Sequence, residues 1–260
     1  MSDLIRLEQL PWPEIERVRD ESGGFLVLPV GATEQHGPHL PINCDTVIAE
    51  SICHYACEKS GIPVLPSLAF TVSSGHTSKW PGTFSLTHET FIHQVEELSD
   101  WAVATGWKKL LFVNSHFGND ASLRVAVEKI RLRFFGQLQV GLKNTFHLSE
   151  SIWSYFISDA DDLHANKAET DLLLHLCPET VRMDLAEDDP DRTEGTVFSY
   201  PVAQTSLNGL TGAPSLGNSE RGRELFEEMG DALAAFLETA KNEEAPLAPE
   251  HWDDLQLPST

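Results

Sequence analysis

What most constrains this chain is a series of short, unbroken apolar runs, each followed by a loop and then a segment of helical period. Phe25-Leu-Val-Leu-Pro-Val30 has no polar interruption and ends at Gly31. A run of that kind buries both faces, as strands of a parallel sheet do. Residues 108–113 (KKLLFV) repeat the pattern with a basic start, and 63–66 and 139–142 read as further strands. Helices are predicted over about 45–59 with Asp45 as the cap, and over about 87–105, 119–134 and 219–241. A further one runs from just after His164 to near Pro178. Strand–helix alternation at spacings of roughly 30–45 residues predicts an α/β fold, a single compact domain with a mainly parallel β-sheet flanked by helices. With 260 residues the chain suits one large domain, expected over 1–241, followed by a Pro- and acid-rich C-terminal tail over 242–260.

Composition narrows the partners. A formal net charge of −22 repels nucleic acid and anionic lipid, so neither is expected as a partner. No apolar stretch is long enough for a transmembrane helix, and the first residues lack the basic and apolar regions of a secretion signal. The expected compartment is therefore the cytoplasm. Cys44, Cys53, Cys57 and Cys177 contain no CxxC pair and read as small buried hydrophobes.

In open α/β sheets ligands sit beyond the carboxyl ends of the strands. Three segments there carry metal-type side chains. After the first strand come Glu34 and His36, then Asp45; carboxylate plus imidazole suits zinc, manganese or iron. Two residues apart in an extended loop, Glu34 and His36 would point to opposite sides unless a turn at Gly31 or Gly37 converges them. After the central strand, His116 stands in NSHFGN (114–119). In the third segment His164 and Glu169 are five apart, with His164 at a helix mouth and Glu169 on the second turn. Each segment alone also fits a blander reading: a polar surface loop, a capping turn, a solvated acidic helix start. Jointly they supply a binuclear set, with Asp45 able to bridge two cations in the manner of two-metal hydrolases. His76, Ser78 and Trp80, in a loop before Pro81-Gly82, are candidate pocket residues. His39 is expected to be exposed, and His54, His88, His93, His147, His175 and His251 to be structural or superficial.

The motifs GATEQHGPHLPINCDT (31–46), GHTSKWPGTFSL (75–86), VNSHFGND (113–120), HANKAET (164–170) and GLTGAPSLGNSERG (209–222) resemble the creatininase (creatinine amidohydrolase) family. The resemblance spans about residues 20–240. It implies a compact α/β domain binding two divalent metal ions per subunit, often assembled as a homohexamer. By that resemblance Glu34, Asp45 and His116 hold one metal; His36, Asp45 and Glu169 hold the other; His164 is the catalytic histidine. The chain departs from creatininases themselves at two places. Phe117 and Gly118 stand where a tyrosine and a ligating glutamate follow the metal histidine, which sets the ring of Phe117 beside the site. Ala160 stands where a tryptophan precedes the catalytic histidine by four residues.

The expected activity is metal-dependent hydrolysis of a C–N bond in a small-molecule amide, cyclic ones such as creatinine included. Alternatives are a formamide hydrolase (deformylase) or a small-peptide amidase of cofactor biosynthesis and, in another class, a catalytically silent α/β binding protein. A nucleotide-binding domain is disfavoured, since the first strand end lacks both GxGxxG and GxxxxGK[ST].

Overall fold

Three parallel strands form the sheet of the computed structural model, which describes residues 4–76 and 78–252. Helix α1 (Trp12–Glu21) leads into β1 (Phe25–Val30), and α2 (Cys44–Ser60) and α3 (His88–Ala104) follow. Then come β2 (Lys109–Asn114), α4 (Asp120–Arg133), β3 (Gln139–Asn144), α5 (Glu150–Phe156), α6 (Lys167–Leu176), the short α7 (Val202–Thr205) and α8 (Ser219–Lys241). The strands lie in the order β1-β2-β3, so β2 is central. Pairing of Val30 with Asn114, and of Asn114 with Asn144, sets the three carboxyl ends level.

The apolar runs become strands because both faces are covered. Every residue of β1 is buried. Phe25 and Val27 enter one core with Leu111, Val113, Ile48, Ile52, Leu172 and Leu225. Leu26, Leu28 and Val30 enter the other with Leu110, Phe112, Phe91, Val95 and Leu123. Helices α2, α6 and α8 thus cover one face, and α3 and α4 the other. Side-chain caps fix several helix starts: Thr87 accepts from the amide of Thr90, Asn166 from Glu169, and Asn218 from Arg221.

Several sequence expectations are corrected. Residues 63–66 do not form a full strand. Val64 makes only isolated parallel bridges, to Arg6 and Val27, because Pro63 and Pro66 have no N–H to extend a ladder. Asp45 does not cap α2 but lies in its first turn, with Asn43 at the cap position. Glu169 is in the first turn of α6, not the second, because the helix waits for its Asn166 cap. Helices α1 and α5 were not anticipated.

Beyond α8 the chain stays against the body. Lys109 Nζ donates to the carbonyls of Ala240, Lys241 and Glu243, at 2.7–2.8 Å, tying β2 to the end of α8. Trp252 lies with its ring 5.2 Å from that of Phe135. The rest of the expected tail, 253–260, lies outside the described residues. Among the described residues no helix is long and apolar enough to cross a membrane.

Candidate metal centre

The loop after β1 is held by contacts on both sides. Gly31 lets α2 approach closely: a Cβ there would stand 2.4 Å from Cα of Thr46, so any other residue would push Asp45 away. The amide of Glu34 donates to Ile42 O, and that of Gln35 to Thr83 Oγ1. His36 Nδ1 lies 3.0 Å from the carbonyl of Glu34, which can only accept. A neutral His36 therefore carries its proton on Nδ1 and turns Nε2 toward Asp45 Oδ1, 3.5 Å away. In the metal-free chain, against the effect of burial, Cys44 and Asp45 hold its pKa well above the ordinary histidine value, so a second proton stands on Nε2 where a cation would. A backbone acceptor on the far nitrogen is the usual way to orient a metal-binding imidazole.

At the end of β2, Asn114 clamps the main chain of His116: its Oδ1 accepts from His116 N and its Nδ2 donates to His116 O. His116 Nδ1 stands 3.3 Å from Asp45 Oδ2 and Nε2 stands 3.2 Å from Glu34 Oε2. Gly118 is required beneath this ring, since a Cβ there would meet His116 Nε2 at 2.5 Å.

His164 comes from an irregular segment rather than an element. Its N–H donates to Thr211 O and its carbonyl accepts from Thr211 N, so the backbone is fixed on both sides. The next residue, Ala165, has φ of +49°, a left-handed conformation that costs a non-glycine residue energy and here turns the chain into α6. His164 Nδ1 lies 3.3 Å from Glu34 Oε1, and its ring centroid lies 4.6 Å from that of His36.

All five expected ligands converge, and all are buried. Glu34, Asp45 and His116 bring one donor atom each within 4.8 Å of one another; His36, Asp45 and Glu169 do the same, and Asp45 belongs to both sets. His164 can also join Glu34 and His36 in such a group. Glu34 Oε1 and Oε2, His36 Nε2, Asp45 Oδ2 and Glu169 Oε2 are buried without a hydrogen-bond partner. The imidazoles around Glu34 are within ion-pair distance of it but are not aligned as donors. Buried, unsatisfied carboxylates are costly unless a cation compensates them, so the donor set fits divalent metal.

The electrostatics agree. Burial pushes Glu34 up to about 7, against the pull of His116. Burial also raises Glu169. Burial opposes the charge on Asp45, yet His36 and His116 overcome it and hold that carboxyl well below the usual range. His116, which burial would lower, is held up at about 9 by Glu34 and Asp45. Carboxylates that keep His116 protonated despite its burial favour positive charge placed among them.

A cavity of about 300 Å³ opens over these side chains. His76 and Phe117 line it; Ser78 and Trp80 are not among its lining residues. His76 Nε2 stands 3.1 Å from Glu34 Oε1, and burial, reinforced by His116 and His36, lowers its pKa to about 3. The ring of Phe117 stacks on Phe146 at 3.8 Å. His39, expected to be exposed, is buried and bonded to Thr170 Oγ1 at 2.9 Å, because the following chain folds over it. Among the lining and bridging residues that the sequence reading did not assign to the site are His88, Asp162, Ser73 and Thr211 on the cavity wall, and Gln35. Gln35 bridges His76 to the carbonyl of Gly209. Its place between Glu34 and His36 was the one signal for Gln35.

Buried carboxylates and imidazoles grouped at the carboxyl edge of a parallel sheet define an α/β protein with a candidate metal site at its strand ends. Residues 8–237 match the family described as creatinine amidohydrolase, and the chain belongs to this creatininase family. It is 28% identical to a creatinine amidohydrolase of Pseudomonas putida, over 90% of this chain and 96% of that one. It is 33% identical to a mycofactocin precursor peptide peptidase of Mycobacterium ulcerans, over 86% of this chain and 84% of that one. A solved structure described as a manganese creatininase superposes with a TM-score of 0.80 at 25% identity, covering 92% of this chain and all of that one. The chain is accordingly an amidohydrolase.

Proposed function

We propose that this amidohydrolase works with two divalent cations, zinc, manganese or iron, sharing Asp45. Glu34 and His116 complete one site and His36 and Glu169 the other. The observation that carries this reading is the set of buried donor atoms without hydrogen-bond partners, grouped twice around one aspartate. When bound, such a pair supplies Lewis acidity for an amide carbonyl and lowers the pKa of water toward neutrality.

The chain's own residues do the rest. His164, beside Glu34 and at the inner wall of the cavity, carries a proton from the attacking water to the leaving nitrogen. Burial, then His76 and His36, lower its pKa well below the ordinary histidine value, so it meets substrate as a neutral base. Phe117 offers an apolar face, and His76 a polar one, to the bound amide.

The cavity lies at the small end of ligand pockets, which supports a small amide, cyclic ones such as creatinine included. The resemblance to a peptide peptidase at 33% identity favours a second substrate class, a short peptide end; a formamide is a third. Hydrolysis of creatinine, N-formyl compounds and short peptides by one preparation separates the three.

The decisive experiment is metal content by elemental analysis, on protein purified without chelator. About two equivalents per chain, lost in Asp45→Ala, are expected from a shared bridging ligand. A chain that retains no metal and takes none up overturns the reading.

The chain is further read as a cytoplasmic homo-oligomer, by family resemblance a hexamer. Free cysteines support a reducing compartment. The exposed neighbours Val197 and Phe198 are apolar side chains that a subunit contact would cover. Light scattering that gives a monomer mass removes the oligomer, and cell fractionation tests the compartment.

A further inference from the structure

Gln35 lies between two metal-type ligands in sequence, yet its side chain serves neither. Its Oε1 accepts from the amide of Gly37 at 3.0 Å, and its Nε2 donates to the carbonyl of Gly209 at 2.7 Å. These two main-chain groups are of opposite kind, so they fix which end of the amide is which. Turning it by half would set oxygen against oxygen and N–H against N–H, losing both bonds. The approach is built into the backbone. Gly209 has φ of +88°, and a Cβ there would stand 2.5 Å from Gln35 Oε1.

With the amide fixed, its two protons are assigned. One goes to Gly209, and the other to His76 Nδ1 at 3.0 Å. A nitrogen that accepts carries no proton, so neutral His76 has its proton on Nε2, which faces Glu34 Oε1 at 3.1 Å. His164 completes the assignment. Its Nε2 is 2.7 Å from the main-chain carbonyl of the same Gln35, which can only accept, so the proton sits there. The amide nitrogen, 3.2 Å from that Nε2, is itself a donor and offers no competing acceptor. The lone pair of His164 is left on Nδ1, 3.3 Å from Glu34 Oε1.

We propose that Gln35 is the positioning residue that sets the tautomers of both imidazoles. Through its side chain and its own carbonyl it presents one N–H, from His76, and one bare nitrogen, from His164, to the same face of the metal centre. A general base is useful only with its lone pair toward the water it deprotonates, and this arrangement supplies that orientation before substrate arrives.

The inference concerns the site proposed above, but its main readout requires no turnover. Histidine ring ¹⁵N spectra of the metal-free and metal-loaded protein report which nitrogen is protonated. In the wild type His76 should show a bare Nδ1 and His164 a bare Nδ1. In Gln35→Glu the Gly37 bond survives, but both side-chain atoms now only accept. The proton of His76 should therefore move to Nδ1, with metal content unchanged. On the best wild-type substrate among creatinine, N-formyl compounds and short peptides, kcat should fall by about 10–100-fold, the usual effect of losing an orienting partner. Wild-type His76 or His164 protonated on Nδ1, or a His76 tautomer unchanged in Gln35→Glu, overturns the proposal; His164, held by the main-chain carbonyl, should keep its tautomer in the variant. Should the buried carboxylate prevent folding, Gln35→Met decides: a mixture of His76 tautomers is expected, and the wild-type pattern overturns it. Failure to bind metal or hydrolyse any of these amides would count against the hydrolase reading alone, since the spectra are read independently.

Discussion

At the scale of single residues, the site is governed by which nitrogen of each imidazole is free. His36 is settled by the carbonyl of Glu34, a local contact two residues away. His164 is settled by the carbonyl of Gln35, 129 positions distant in sequence. Loss of a general acid or base typically costs about 10²–10⁴-fold, so His164→Ala should lower kcat by that factor while metal content stays at the wild-type value. Full activity in that variant removes His164 from the proton path, and loss of metal makes it a ligand instead. The candidate ligands were legible in the sequence only jointly: each strand-end segment alone also suits a loop, a capping turn or a solvated helix start, and it is their recurrence at three such places that points to one site. Gln35 was not legible. Its role depends on Gly209, 174 positions away, which no local pattern announces.

At the scale of elements, the packing of α6 against α8 decides where Glu169 stands. Gly222 makes that packing possible: a Cβ on it would lie 1.8 Å from the carbonyl oxygen of Asp171. Asp171, itself buried, is held by Tyr155, Lys167 and the amide of Asn218. Gly222→Ala must therefore move one helix away from the other. Overpacking of this kind costs typically about 1–3 kcal/mol, and against main chain the upper part of that range is expected. Urea denaturation should show the loss, and metal affinity should fall with it as Glu169 shifts. An unchanged midpoint would mean that the helices separate without cost. The long helices were readable from their period, and β1 and β2 from their unbroken apolar runs. Helix α5, only seven residues long, was not, since so short a segment carries too little periodicity. Residues 63–66 looked like a strand by composition, but strand identity requires N–H groups that two prolines lack.

At the scale of the whole molecule, folding gathers negative charge into one place. The site packs three buried carboxylates, Glu34, Asp45 and Glu169, into a chain of net charge −22, so the proposed cations would stabilise the fold as well as serve the reaction. Free cation at about a hundredfold above Kd adds about 2.7 kcal/mol per site. In a chain of this size that corresponds to about 5–10 °C in Tm. Chelation should lower the calorimetric Tm by at least that much, and re-addition of zinc or manganese should restore it. Coincident melting curves with and without chelator would show that the buried carboxylates are stable by themselves.

The sequence by itself determined the α/β class, the parallel sheet and the set of metal-type side chains, because apolar run length, helical period and residue chemistry are local properties. It also determined the family, through motifs that are local as well. Only the tertiary structure decided that Glu34 and His36 reach one centre despite alternating along the loop, that Ser78 and Trp80 lie outside the cavity lining, and that His39 is buried. Those outcomes are set by contacts between distant segments, such as Thr83 with Gln35, Thr46 with Gly31 and Thr211 with His164. Their energies depend on distance in space, and sequence separation carries no record of it.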